Sequence, residues 1–167
     1  MEQYDDLIEA LNAARETENR PNWLMRQYNK VRVAGILAEE LSRMNDINKA
    51  VTAYNRYLKA PGDRGYDGTK LDDFYHKRAM YRAAQLGADA AQFAFNLGEF
   101  KENNYDWPRN KYVRGWNDEK NEAERQKDLQ NNKNAIIMAL KNPGVPVEQM
   151  VPHAGTTAGV WDSRFRK

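Results

Sequence analysis

The chain has 167 residues, with 26 lysines and arginines against 24 aspartates and glutamates, a formal net charge of +2, and no cysteine. That length sustains one domain with its own core, and the lack of cysteine excludes disulfide frameworks, thiol nucleophiles, cysteine-ligated zinc and iron–sulfur clusters. The near balance of charge excludes an overall field that would drive indiscriminate binding to nucleic acid or anionic lipid, and no apolar run reaches the roughly 20 residues needed to span a bilayer.

Met1 is followed by Glu2 and Asp5 rather than by a basic and then apolar leader, so no signal peptide is expected. Tyr4, Leu7, Ile8 and Leu11 recur at helical spacing and mark a first helix, in a segment that is acidic overall. Asn22 is placed to cap a turn carrying Trp23 and Leu24. Val33, Ile36, Leu37 and Leu41 mark another helix, and Ile47, Val51, Tyr54 and Leu58 a further one, with Asp46 near its start. Pro61, Gly62, Gly65 and Gly68 then break the pattern.

Leu71, Phe74, Tyr75, Arg78 and Arg82 read as an amphipathic helix stopped at Gly87, and Ala90, Phe93, Ala94 and Leu97 as the next, with Asp89 in its first turn. A link this short makes the two antiparallel neighbours, a helical hairpin. Residues 103–117, with Pro108 and Gly115 among polar and aromatic residues, read as a long surface loop. Leu129, Ile136, Ile137 and Leu140 give the buried stripe of a last helix over about 118–140. From Asn142 periodicity is lost and three prolines follow, yet Val151, Val160, Trp161 and Phe165 are apolar enough to lie along a surface. The expected fold is all-α: a single helical bundle over residues 1–140, with an extended C-terminal arm over 141–167 that either closes over its own domain or docks on another subunit.

Within the hairpin, His76 precedes Gly87 by nearly as many positions as Glu99 follows it, so the two stand at similar height, with Glu102 about one turn farther out. Asp128, Asn131 and Asn132 on the last helix complete a polar set if that helix packs into the groove. A carboxylate can orient imidazole for general-base work, or imidazole and carboxylates can hold a divalent metal. The same residues can equally satisfy one another at a helix junction. The H-E-x-x-H spacing, the G-x-S-x-G elbow and the phosphate loop are all missing, so no cofactor is assigned and a metal is left open.

The stretch YDWPRNKYVRGW interleaves Trp107, Tyr112 and Trp116 with Arg109 and Arg114. Such residues stack bases and neutralise phosphates, or supply most of the energy of a protein interface; the balanced total charge favours the interface over nucleic acid. Trp161 and Phe165 of the arm join that binding set. His153 and the GTTAG stretch carry no specific signal.

The ordered motifs FYHKRAMYRAAQLG, LGEFKE and D-x-x-NN, between Leu71 and Asn134, resemble a pattern of small helical proteins encoded by bacteriophages and of related bacterial domains. In some such relatives an arginine directly precedes the histidine, where this chain has Tyr75. The resemblance implies a site at His76, Glu102, Asp128, Asn131 and Asn132. It also implies a place in the virion or host cytoplasm, with other virion proteins and further copies of the chain as partners. The function expected first is a non-enzymatic virion component, internal, ejected or tail-associated, that assembles through the aromatic loop and the arm; the alternative to it is a hydrolase of cell-envelope material using His76, Glu102 and Asp128. A nucleic-acid-binding accessory role is the third.

Overall fold

The computed structural model describes residues 2–68, 70–152, 157, 158 and 161. Those residues form a helical bundle, and no strand occurs among them. A 3-10 turn, Glu2–Tyr4, leads into α1 (Asp5–Thr17), followed by α2 (Trp23–Ala53), α3 (Leu71–Ala84), α4 (Ala88–Lys101), α5 (Trp107–Tyr112), α6 (Asp118–Lys141) and a single turn, α7 (Val147–Met150).

Side-chain caps set two of the helix starts. The Asn22 carboxamide oxygen accepts from the Met25 amide at 2.9 Å and opens α2, and Asn117 accepts from the Lys120 amide at 2.8 Å and opens α6. The third device is remote: Gly87 takes φ +114, a conformation that L side chains resist, and the Ala88 amide at the start of α4 donates to Glu18 at 2.9 Å, from beyond the end of α1. The hairpin of α3 and α4 read from the sequence is thereby present, turned at Gly87.

Two expectations are corrected, and one that the sequence leaves open is resolved for the described residues. The two helices read before Pro61 are one continuous helix of 31 residues extended by a π-helical turn, Tyr54–Leu58. Asn45 and Asp46 are weak helix formers, but neither glycine nor proline interrupts there, and buried Ile47 and Val51 continue the inner face. The stretch read as a surface loop is largely helical: a π-helical turn, Glu102–Asp106, continues α4 without a break, and Pro108 sits in the first turn of α5, directly after that wider turn. Finally, the described part of the arm lies on its own domain: Val147, Val151, Ala158 and Trp161 are buried, and the Trp161 ring stands edge-on to Tyr54 and Tyr66 at 5.8 and 5.3 Å. Burial of those apolar groups drives the fold-back, so the Trp161 contact occurs within the chain. His153, Val160 and Phe165 lie outside the described residues.

The larger core gathers α1, α3, α4 and α6 around Leu11, Tyr81, Ala91, Phe95 and Ile136; a smaller one joins Ile47, Val51, Leu71 and Tyr75 to Ala158 and Trp161. Alanines at 83, 84, 88, 90, 91 and 94 line the inner face of the hairpin and let α3 and α4 approach closely. Charge is also buried. Glu40 on α2 is 0% exposed and Arg78 on α3 is 2% exposed, with Arg78 Nε 3.6 Å from Glu40 and Arg82 Nη1 2.6 Å from the same carboxylate. Glu148 on α7 closes the group, 3.7 Å from Arg78.

Candidate functional site

At the open end of the hairpin, α2, α3, α4 and α6 surround a small pocket of about 40 Å³ whose walls include Leu41, His76, Gly98, Lys101, Glu102 and Asn132. Gly98 is what lets α6 come so near: a methyl group there would stand 2.9 Å from Asn132 Nδ2 and 3.0 Å from Met80 Cε.

Glu102 is 5% exposed. Burial first, then the neighbouring carboxylates Asp106 and Asp128, push its carboxyl up to about 8, against the opposing pull of Lys101. It is therefore protonated at neutral pH and donates a hydrogen bond to Asp106. Asp106 is a well-fixed acceptor, since Lys101 Nζ lies 2.6 Å from one of its oxygens and Arg109 Nη2 3.0 Å from the other. Asp128, one turn before Asn132 on α6, is raised to about 6 by burial and by Glu124, with Lys127 and His76 pulling the other way.

His76 is steadied from its own helix: Nε2 lies 3.2 Å from Asp72 Oδ1, an i,i+4 pair. Partial burial pushes the Asp72 carboxyl up, but the hydrogen bond from His76 and the charges of His76, Lys101 and Lys127 prevail and hold it below the usual carboxylate range. Beside this pair, Asp72, Asp73 and Asp128 place three carboxylate oxygens within 4.8 Å of one another, the one set among the described residues with the spacing of a cation site. Protein groups already engage two of these carboxylates, His76 Nε2 at Asp72 and Lys127 Nζ 3.8 Å from Asp73.

A wider polar groove of about 530 Å³ adjoins the pocket and shares Leu41 and Lys101 with it; Asn45, Asn48, Asp72, Asp106, Arg109 and Arg114 also line it. Carboxamides and cations around an open trough can grip a polar or anionic chain, while an acid kept protonated by burial and an imidazole held by a carboxylate can deliver and remove protons at its edge.

His76, Glu102 and Asn132, read from the sequence as a set, thus line one pocket, and Asp128 stands close enough to shift the Glu102 proton. Glu99 and Asn131 do not join them. Glu99 points toward the start of α1, where its charge raises the Tyr4 phenol after burial, and Asn131 lines a separate groove with Lys77 and Met150. Asp72, Lys101 and Asp106 are part of the site and were not singled out from sequence. The Asp72–His76 spacing was legible in DDFYHK, whereas Asp106 becomes a neighbour of Glu102 only because the chain stays helical past Lys101.

Of the aromatic set, Trp107 and Trp116 are half-buried under Lys111 and Lys120, whose ammonium groups lie 4.7 and 4.2 Å from the ring centroids. Tyr105, Tyr112 and Val113 stand exposed beside Arg109 and Arg114. No protein-family model, curated protein or solved structure matches the chain. No helix among the described residues is long and apolar enough to cross a membrane.

Proposed function

We propose that the His76–Glu102–Asp128 cluster is the acid–base site of a hydrolase and that the adjoining groove holds its substrate, a polar polymer of the cell envelope. The observation that carries this reading is the convergence of His76, Glu102 and Asn132, from three different helices, on one pocket that opens beside a polar trough. In this reading Glu102 gives its proton to the leaving group, His76, oriented by Asp72, takes one from the attacking water, and Asp128 balances the imidazolium that forms. Bond cleavage is thereby split between a donor and an acceptor that ionise in opposite senses. Asn45, Asn48, Arg109 and Arg114 bind the substrate chain.

The test is release of soluble fragments from purified cell-envelope material by the wild type and by His76→Ala, Glu102→Gln and Asp128→Asn. The expected outcome is a loss of 10²-fold or more in kcat for the first two variants, with melting temperatures at pH 7 no lower than that of the wild type, Glu102→Gln standing above it. Fragment release that survives all three substitutions sinks the proposal and leaves the cluster a helix junction.

A second reading rests on a different observation. Tyr105, Tyr112 and Val113 are large, exposed and flanked by Arg109 and Arg114, which is the composition of a protein interface. In that reading the chain is a structural component of a phage particle, internal, ejected or tail-associated, that joins other virion proteins through this edge. Tyr112→Ser with Val113→Ser is then expected to remove the protein from assembled particles without lowering its melting temperature, and incorporation at the wild-type level counts against it.

A further inference from the structure

Five turns of α2 turn an apolar and small-residue row to solvent. Leu24, Tyr28 and Val31 are 68%, 56% and 69% exposed, and Gly35, Ala38 and Ser42 continue the row, all of them on the surface. The spacing is 4, 3, 4, 3, 4, the alternation that keeps one seam of a helix facing a partner helix. The opposite face of α2 is occupied, with Asn29, Val33, Glu40 and Ile47 buried in the bundle. This seam is therefore additional to the packing of the domain.

The row is graded, with large residues in its first half and small ones in its second. Numbering shows the consequence: Leu24 with Ser42, Tyr28 with Ala38, and Val31 with Gly35 are equidistant from Val33. Two copies of α2 crossing antiparallel about that level set each large side chain over a small one of the other copy. A methyl group built on Gly35 meets nothing within 4 Å, so the space that a second copy's Val31 needs is open. A parallel pair would set Leu24 on Leu24 and Tyr28 on Tyr28 at one end and leave a gap over Gly35 at the other.

Charge selects the same direction. Residues 23–33 of α2 carry Arg26, Lys30 and Arg32 and no acid, while the surface of 34–46 carries Glu39 and Asp46 against Arg43, Glu40 being buried in the bundle. Antiparallel crossing lays the basic half of one copy along the acidic half of the other, and it brings Trp23 level with Arg43 of the second copy. The register also sets Arg32 beside its own copy, but at an exposed rim position where such repulsion is small.

We infer that the exposed seam of α2 is a homodimer interface in which two chains pair antiparallel through Leu24, Tyr28, Val31, Gly35, Ala38 and Ser42. The contact is isologous: one patch serves both subunits and closes after two copies. It leaves the groove at Arg109 and Arg114 outside the pairing row, so it holds whichever function that groove serves.

The lack of native cysteine makes the register directly testable in the full chain. Leu24→Cys and Ser42→Cys variants are prepared separately and oxidised alone and as a mixture. The antiparallel pairing gives a disulfide-linked dimer at least tenfold more abundant in the mixture than in either alone. Homotypic cross-linking of Leu24→Cys alone overturns the register. Light scattering of the wild type at about 50 μM is expected to give twice the chain mass, and Ala38→Glu, at an exposed helical position, half of that with unchanged circular dichroism. A wild type of single-chain mass, or an Ala38→Glu chain that stays dimeric, overturns the interface itself.

Discussion

Glu102 shows how one side chain can hold two roles in tension. In the unfolded chain its carboxyl loses its proton near the ordinary value of 4.5, whereas in the fold burial and the carboxylates of Asp106 and Asp128 keep it to about 8. The folded state therefore holds the extra proton across that window, and stability falls as pH rises from about 4.5 to about 8. Asp128, raised from 3.8 to about 6, adds a fall of the same sign over a lower range. Glu102→Gln removes the proton and keeps the shape, so its denaturant midpoint is expected to depend less on pH. At pH 8.5 it should be more stable than the wild type by on the order of 1–3 kcal/mol. Chemical denaturation at pH 5 and pH 8.5 checks this, and equal pH dependence of the two proteins would show that Glu102 ionises normally. A residue whose removal stabilises the fold and abolishes turnover is one retained for chemistry.

Among the elements, the contact of α2 with α3 is set by charge as well as by apolar packing. Glu40 and Arg78 are buried together and Arg82 binds the same carboxylate, an arrangement whose desolvation cost is offset only while every partner is in place. Arg78→Met alone leaves Glu40 with less compensation and is expected to cost about 3–5 kcal/mol in chemical denaturation. The double variant Glu40→Leu with Arg78→Met is expected to recover more than half of that loss, because two apolar groups have no charge to desolvate. A double variant that is as unstable as the single would show that the ion group itself, rather than its incompleteness, sets stability. This network was not legible beforehand. Arg78 fell on an amphipathic stripe, and Glu40 lay in a run of polar residues; their meeting needs the crossing of two helices that sequence spacing does not fix.

At the scale of the molecule, the described part of the C-terminal segment belongs to the fold. Reading 141–167 as a separable arm implies that its removal leaves the helical signal unchanged. Burial of Val147, Val151 and Trp161 implies otherwise. Trp161, 8% exposed and packed against Tyr54 and Tyr66, ties the chain end to the far end of α2. Trp161→Ala is expected to cost about 2–4 kcal/mol, and truncation after Lys141 more, by thermal or chemical unfolding followed by circular dichroism. An unchanged melting temperature on truncation would restore the independent arm.

What the amino-acid order settles by itself is what periodicity and capping control: helices rather than strands, the hairpin turned at Gly87, the cap at Asn22, and the similar height of His76 and Glu99 along that hairpin, with Glu102 about one turn farther out. These are local, fixed by a rise per residue and by which side chains can satisfy free amides. Tertiary structure decided the rest: that α2 runs unbroken through Asn45, that the chain stays helical from Lys101 to Tyr112, that Asn132 joins the site while Asn131 and Glu99 face away, and that Trp161 is kept at home. Each of those turns on long-range burial, which overrides weak local preferences and assigns partners that lie tens of residues apart.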